Sequence, residues 1–169
     1  MNAYRMRIAL TAAALALAAG CAKKAPDQLP PPPETPSTGD TGQIEGAVVP
    51  GSRADFLQSV PSDRVFFDTD MYNIDDEDRR ILDAQAEWLQ RYPNVRFTIE
   101  GHADERGTRE YNLALGDRRA NAAKNYLQSR GIDPSRMTVI SWGKERPEAL
   151  GSDESAWAQN RRAVTVIPQ

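Results

Sequence analysis

The chain has 169 residues, of which 40% are hydrophobic and 27% are charged, a composition that suits one folded domain. Its formal charge is −3, and this acidic balance argues against non-specific nucleic-acid binding, which needs a basic surface. The presence of only one cysteine excludes an internal disulfide.

The first twenty residues have the pattern of an export signal. Two arginines precede an apolar run over residues 8–19, which is short for a membrane span and is closely followed by Cys21. The pattern resembles a lipoprotein signal peptide over residues 1–20, with Cys21 as the lipidated first residue of the mature chain. Without that peptide, 19 basic and 24 acidic residues give a formal charge of −5. The alternative is an ordinary secretory signal that leaves Cys21 as a free thiol.

Residues 21–60 are predicted to be the lipidated cysteine followed by a disordered tether. This segment holds more than half of the prolines, including all of residues 30–33, and few large apolar residues. Such a sequence buries too little surface to offset the entropy of ordering. A flexible chain of this length averages roughly 35 Å end to end and reaches about 100 Å when extended. Residues 61–169 are then the predicted folded domain.

The first half of this domain is predicted to be a strand, a helix and a second strand. Residues 64–67 are β-rich, and Asp75 or Asp76 then caps a helix that extends to about Tyr92. Residues 95–99 alternate between apolar and polar and predict the second strand, which ends before Gly101. A helix that connects two strands favours their parallel, right-handed pairing.

The second half is predicted to be a helix followed by two strands. Helical spacing over residues 109–128 predicts the helix, and residues 137–142 predict the third strand. A polar loop over residues 143–159 precedes the last strand, residues 162–167. The order β-α-β-α-β-β predicts an α+β sandwich, in which two helices cover one face of a mixed four-stranded sheet.

Polar residues concentrate at the junction of the second strand and the second helix. Asp104 lies in the loop between them, and Arg119 follows on the helix with a side chain that leans back toward the helix N-terminus. We therefore expect the carboxylate and the guanidinium to face one pocket. The alternative is a structural ion pair that fixes the loop to the helix.

This junction and three other segments resemble the OmpA-like C-terminal domain family, whose signature binds peptidoglycan. The matching segments are residues 65–70, 101–107, 111–120, 142–145 and 160–164. Together they cover roughly residues 62–167, and several ordered motifs of this length are far more specific than any short pattern. The resemblance implies the sandwich fold, a binding role without enzymatic activity, and no cofactor or metal.

The ligand implied by this resemblance is the meso-diaminopimelate of a peptidoglycan stem peptide. Its free side-chain end carries an ammonium, for which Asp104 is the expected acceptor, and a carboxylate, which the planar fork of Arg119 is expected to grip. We expect an Arg119→Ala variant to keep its fold and to lose binding to cell-wall sacculi. The resemblance also carries over four further ligand-binding residues: Thr69, Asp70, Asn112 and Arg161.

The resemblance further implies a protein of the outer membrane, held at its periplasmic face by lipid on Cys21. Ala22 supports this location, because an aspartate at that position would indicate retention in the inner membrane. The protein would tether the outer membrane to the cell wall as part of the Tol system for envelope integrity and cell division. Its implied partners are peptidoglycan, the periplasmic propeller protein TolB and other Tol proteins.

Two other functions compete with this interpretation. A peptidoglycan-degrading enzyme would use paired carboxylates among Glu100, Asp104 and Glu105, but strand alternation sends Glu100 to the face opposite Ile99. The sequence also has no zinc motif and no Gly-x-Ser-x-Gly nucleophile motif. A nucleic-acid module built on the open sheet conflicts with the acidic charge and the export signal.

Two further patterns are interpreted as structural. His102 is the only histidine and has no neighbouring cysteine, so a hydrogen-bonding role is favoured over that of a base or metal ligand. Residues 68–70 begin like a calcium loop, but Asn73 replaces the required glycine and Arg79 the required glutamate.

Overall fold

The computed structural model describes residues 48–169, in which two long helices pack against one face of a four-stranded sheet. The predicted signal peptide, Cys21 and the predicted tether up to residue 47 lie outside the described residues. The predicted α+β class with a mixed four-stranded sheet is confirmed. In chain order, the helices and strands are α1 (Arg53–Ser59), β1 (Arg64–Phe66), α2 (Asp76–Arg91), β2 (Phe97–His102), α3 (Arg109–Ser129), β3 (Met137–Gly143), α4 (Glu154–Asn160) and β4 (Arg162–Val166).

The strands are arranged in the order β1-β4-β2-β3. β2 pairs with β3 in parallel, whereas β4 pairs antiparallel with both β1 and β2. The predicted pairing of the first two strands is therefore wrong, because the last strand inserts between them. β1 and β2 do run in the same direction, since each is antiparallel to β4. The helix that connects β1 and β2 predicts correctly that the two strands run in the same direction, but it does not predict that another strand lies between them.

β2 continues beyond the point at which the sequence predicts its end. Gly101 pairs with Ser141 and His102 with Gly143, with a shift in register between the two pairs. Gly101 is required for contact with α3 and not for a turn, because a Cβ there would collide with the backbone oxygen of Gly116. This close approach of strand and helix places the start of α3 directly beside the end of β2.

α1 belongs to the folded part of the chain, although the sequence predicts residues 53–59 as tether. Ser52 caps the helix, and Phe56 is 1% exposed, with its ring packed edge-on against that of Trp88 at 5.0 Å. The Trp88 indole N–H also donates to the carboxylate of Asp55, at 3.1 Å. The predicted domain start at residue 61 is therefore too late, because one buried aromatic residue is enough to fix a seven-residue helix on the core.

α4 lies in the stretch 143–159, which the sequence predicts as a polar loop. Asp153 caps this helix through the N–H of Ala156, at 3.0 Å. At the other end, the side chain of Asn160 accepts from the N–H groups of Glu148 and Ala149, at 2.7 and 3.1 Å. These bonds fold the stretch back on itself and bring α4 next to the loop between β2 and α3.

The start of α2 is connected to β1 through one buried carboxylate. Asp75 caps the helix as predicted, and the Asp78 side chain accepts from the N–H of Asp75, at 3.4 Å, and from that of Phe66, at 3.2 Å. This position fixes the loop that joins β1 to α2, which carries Thr69 and Asp70. None of the helices within residues 48–169 combines the length and apolar character needed to cross a membrane.

Candidate functional site

A cavity of 260 Å³ lies between the β1–α2 loop, the β2–α3 loop and the first turns of α3. It brings together four of the six predicted ligand-binding residues. Its polar lining consists of Thr69, Asp70, Asp104, Arg106, Tyr111 and Asn112. Arg119 and Arg161 are not in this lining, and they approach the site from behind its wall.

Asp104 is the buried carboxylate of the site, with 7% of its surface exposed. Arg106 donates to it twice from its guanidinium, at 2.6 and 3.1 Å, and once from its backbone N–H, at 3.1 Å. Burial alone would raise the pKa of Asp104, but the hydrogen bonds and charge of Arg106 outweigh burial and lower it. Asp104 is therefore ionised at neutral pH, and its immediate partner is Arg106.

Arg106 is the site residue that sequence reasoning missed. Its guanidinium lies 4.2 Å above the ring of Trp157 in α4, and its Nη2 donates to the hydroxyl of Thr69, at 3.3 Å. The Trp157 indole N–H donates to Glu105, at 3.1 Å, which holds the aromatic ring in place. The only signal for Arg106 in the sequence is its position inside the matched loop motif. Its contact with Trp157 has no such signal, because the sequence predicts the residues of α4 as a loop.

Arg119 is fully buried and differs from its predicted role. Its Nε donates to the carbonyl of Met71 at 2.9 Å, its Nη1 to that of His102 at 2.8 Å, and its Nη2 to that of Asp68 at 3.1 Å. Burial, followed by repulsion from Arg161, lowers the pKa of Arg119 to about 10, so it remains protonated.

The expectation that the guanidinium of Arg119 faces one pocket with the Asp104 carboxylate is therefore wrong, because Arg119 is buried and does not line the cavity. Among residues 48–169, Arg119 forms no ion pair with Asp104, which removes the alternative of a structural pair between loop and helix. The expectation that Arg119→Ala keeps the fold also conflicts with the three carbonyls that would lose their donor. Arg119 connects the β1–α2 loop to the end of β2, and its contact with a ligand stays a prediction.

Arg161 is the second cation beside Asp104. It follows α4 directly, its Nε donates to the carbonyl of Phe67 at 2.9 Å, and its Nη2 pairs with Glu154 at 2.6 Å. Its Nη1 lies 3.5 Å from the Asp104 carboxylate and has no hydrogen-bond partner within the described part of the chain. One buried guanidinium nitrogen next to the cavity thus retains its capacity to donate.

The remaining predicted residues shape the walls of the cavity. Asp70 has a left-handed backbone, with φ of 59°, and its carboxylate accepts from the hydroxyl of Tyr111 at 3.1 Å. This hydrogen bond raises the pKa of Tyr111. The buried Asn112 amide donates to the Arg106 carbonyl, at 2.7 Å, and so holds the β2–α3 loop against α3.

The site can bind charges of both signs. Asp104 and Asp70 supply anions, while Arg106 and Arg161 supply cations within a few ångströms. Glu100 faces a different cavity, on the side of the sheet opposite the long helices, as the strand alternation predicts. In the described range 48–169, no group of three or more His, Cys, Asp or Glu residues is placed to hold a metal ion.

Comparisons with known proteins give one consistent result. Residues 66–161 match the OmpA family. A peptidoglycan-associated lipoprotein of Rhizobium meliloti is 60% identical over a match that covers 72% of this chain and 69% of that protein. A peptidoglycan-associated lipoprotein of Agrobacterium fabrum is 53% identical over a match that covers 94% of this chain and 86% of that protein. The crystal structure of the peptidoglycan-associated lipoprotein from Burkholderia pseudomallei superposes with a TM-score of 0.62 at 45% identity, and covers 63% of this chain and 91% of that one.

Proposed function

The chain belongs to the OmpA family, and on that premise we propose that its domain binds peptidoglycan non-covalently through meso-diaminopimelate in the 260 Å³ cavity. The ligand residue is one that is not cross-linked, so its side-chain end keeps both an ammonium and a carboxylate. The observation that carries the proposal is the buried Asp104 carboxylate, which lies 3.5 Å from a guanidinium nitrogen of Arg161 without a hydrogen-bond partner in residues 48–169. A zwitterion needs such a pair of opposite charges.

Binding requires an exchange of partners at Asp104. In the free protein the Arg106 guanidinium is hydrogen-bonded to the Asp104 carboxylate, so the ligand ammonium must displace this guanidinium. The displaced Arg106 guanidinium, whose planar fork suits a carboxylate, is then free to bind the ligand carboxylate together with Nη1 of Arg161. Arg119 contributes positive charge from below and keeps both loops in place, and Thr69, Asp70 and Asn112 form the walls. The protein itself would perform no chemistry on the polymer.

We extend the proposal to the whole chain on the basis of its relatives, which are named peptidoglycan-associated lipoproteins. Lipid on Cys21 anchors the protein to the outer membrane at its periplasmic face. The proline-rich segment spans the distance to the wall, so the protein tethers the outer membrane to peptidoglycan. These residues lie outside the described range, and the anchor is tested by metabolic labelling with a fatty acid in the wild type and in Cys21→Ser. Label in both chains would contradict an anchor at Cys21.

Membership in the Tol-Pal system is the second extension. We propose that TolB and other Tol proteins bind this domain, in competition with the cell wall. Affinity capture from cells that carry the wild type and from cells that carry Asp104→Asn should retain TolB in at least one case. Its absence from both would remove this partnership.

The wall-binding proposal is tested by co-sedimentation of the full chain, in detergent, with two kinds of sacculi. One wall contains meso-diaminopimelate, and the other contains lysine, which has the same terminal ammonium without the carboxylate. We expect at least tenfold weaker binding to the lysine wall, because the arginines lose their partner, which corresponds to about 1.4 kcal/mol.

The matched variants are Asp104→Asn and Glu87→Gln. Both remove one carboxylate, but Glu87 is exposed on α2 and does not line the cavity. Asp104→Asn should lose at least tenfold in affinity and Glu87→Gln should be unchanged. Equal binding to the two walls would overturn the role of diaminopimelate, and release of soluble muropeptides would show an enzyme.

A further inference from the structure

The face of the sheet opposite α2 and α3 holds a second cavity, of 270 Å³, which we call the β-face cavity. It lies over β1, β2 and β4, where Arg64 and Glu100 flank Val164 in one row of the sheet. His102 and Arg162 line it as well, and both are at least nine-tenths buried. The diaminopimelate site and this cavity thus lie on opposite faces of β2.

Three buried polar atoms at this cavity lack partners. Neither ring nitrogen of His102 makes a hydrogen bond within residues 48–169, and neither does Nε of Arg162. The nearest carboxylate oxygen to His102, on Glu100, is 3.7 Å from Nε2, too far for a hydrogen bond. Buried polar groups are normally paired, so three unpaired atoms around one cavity indicate that something else pairs with them.

The charges around the cavity are already balanced. Arg64 pairs with Asp63 at 2.7 Å and with Glu148 at 3.2 Å, and Arg162 lies 3.4 Å from Glu148. Burial, followed by repulsion from Arg162, lowers the pKa of His102 to about 3, so its imidazole is neutral. The lining holds three arginines and three carboxylates beside this neutral imidazole, so its net charge is zero, which favours an uncharged occupant.

The unpaired atoms also indicate what such an occupant must offer. The Arg162 Nε–H needs an acceptor, while a neutral imidazole offers one donor and one acceptor. A carbonyl of an amide satisfies the first requirement, and a hydroxyl satisfies the second. The volume is just below the range of about 300–1,000 Å³ for ligand cavities, which suits one sugar ring rather than several.

We propose that the β-face cavity binds one N-acetylated amino sugar, with its acetamido carbonyl at Arg162 and a hydroxyl at His102. The choice of an amino sugar rests on the proposed wall binding, because the glycan strands of peptidoglycan consist of such sugars. The polar geometry of the cavity is independent of that choice. Contact with glycan on one face and stem peptide on the other would orient the domain on the wall.

The proposal is tested by nuclear magnetic resonance on the full chain labelled with nitrogen-15. His102 is the only histidine, so its imidazole signals are unambiguous. We expect N-acetylglucosamine, added up to about 50 mM, to shift both ring nitrogens in a saturable way. Glucose has the hydroxyls without the acetamido group and should bind at least fivefold more weakly. The absence of a shift with N-acetylglucosamine, or equal shifts with glucose, would overturn the proposal and leave only ordinary buried water.

Two variants separate this site from the diaminopimelate site. Arg162→Gln should weaken the sugar response at least tenfold, while Arg130→Gln, which changes an exposed arginine outside the cavity, should not. Asp104→Asn should lose sacculi but keep the His102 response. An unchanged response in Arg162→Gln, or its loss in Asp104→Asn, would contradict the proposal. If Arg162→Gln does not fold, the comparison of the two sugars in the wild type still decides.

Discussion

Arg119 stabilises the site through hydrogen bonds to backbone carbonyls beneath the cavity. A buried charge is tolerated when hydrogen bonds compensate its lost hydration, and here three backbone carbonyls do so. Two of the carbonyls belong to the β1–α2 loop and one to the end of β2. The residue therefore determines the distance between the two walls of the cavity.

We predict that Arg119→Ala destabilises the protein by about 3–5 kcal/mol, the usual cost of removing one partner from a buried charged network. Arg119→Lys should lose less stability, because the lysine ammonium can still donate to some of the three carbonyls. Denaturation by guanidinium chloride measures both, and Arg118→Ala is the control, since Arg118 is exposed on the same helix. An Arg119→Ala protein as stable as Arg118→Ala would contradict the structural role.

A second prediction concerns the partner exchange at Asp104. Arg106 lowers the pKa of Asp104 against the effect of burial. In Arg106→Gln the backbone N–H of residue 106 still donates to Asp104, but the hydrogen bonds and charge of the guanidinium are lost, so the pKa of Asp104 should rise. Carbon-detected titration of the side chain measures it, and Arg109→Gln is the control, because the exposed Arg109 pairs with Glu145 instead. An unchanged pKa in Arg106→Gln would show that Arg106 does not set the charge of the site.

The residues of this site differ in how far the sequence could predict them. Asp104 and Asn112 belong to one continuous motif at a strand end and a helix start, so their proximity follows from local structure. The approach of Arg161 does not, because it depends on the pairing of β4 with β1, which lets the Phe67 N–H donate to the Arg161 carbonyl at 2.9 Å. Long-range strand order has no local signal in a single sequence.

At the scale of elements, the junction of α2 and β1 depends on the charge of one residue. Burial, more than the neighbouring Asp75, raises the pKa of Asp78 from an ordinary 3.8 to about 6. The folded state therefore holds a proton that the unfolded chain has already lost between these two pH values. Stability from Asp78 is complete below pH 3.8 and is lost as the pH rises through 6. His102 acts in the opposite sense, since its stabilisation is lost as the pH falls from 6.5 toward 3.

We predict that the stability of Asp78→Asn relative to the wild type rises by an amount of order 2 kcal/mol between pH 4 and pH 7. The amide oxygen can accept from only one of the two backbone N–H groups, because Phe66 and Asp75 donate to different oxygens of the carboxylate, but the buried charge is removed. Unfolding free energies of both chains at pH 4, 5, 6 and 7 give the difference, in which the contribution of His102 cancels. A difference that does not change with pH would contradict the raised pKa.

One end of the folded domain in residues 48–169 is covered by α1, a helix whose sequence resembles that of a linker. α1 is short, and its surroundings are rich in small and polar residues, so no periodic pattern identifies it. Its stability comes from Phe56 on Trp88 and from the Trp88 indole on Asp55, contacts with a residue more than thirty positions away. The domain boundary could therefore not be predicted from composition. The composition of residues 53–59 is that of a linker, and it carries no information about their contacts with Trp88.

We predict that a fragment of residues 61–169 is less stable than one of residues 48–169 by about 3–5 kcal/mol, because losing Phe56 exposes the face of Trp88 and leaves its indole N–H without Asp55. In the full chain, Phe56→Ala should reproduce most of this loss, whereas Leu57→Ala, at a half-exposed position of the same helix, should cost less than about 1 kcal/mol. Guanidinium chloride denaturation followed by tryptophan fluorescence measures the two fragments, the two variants and the wild-type chain. Equal stability of the two fragments would mean that α1 only rests on the domain, and wall-binding assays could then use either fragment. If the loss is found, sacculus binding measured with the shorter fragment would report unfolding as well as recognition, since both walls of the diaminopimelate cavity depend on an intact core.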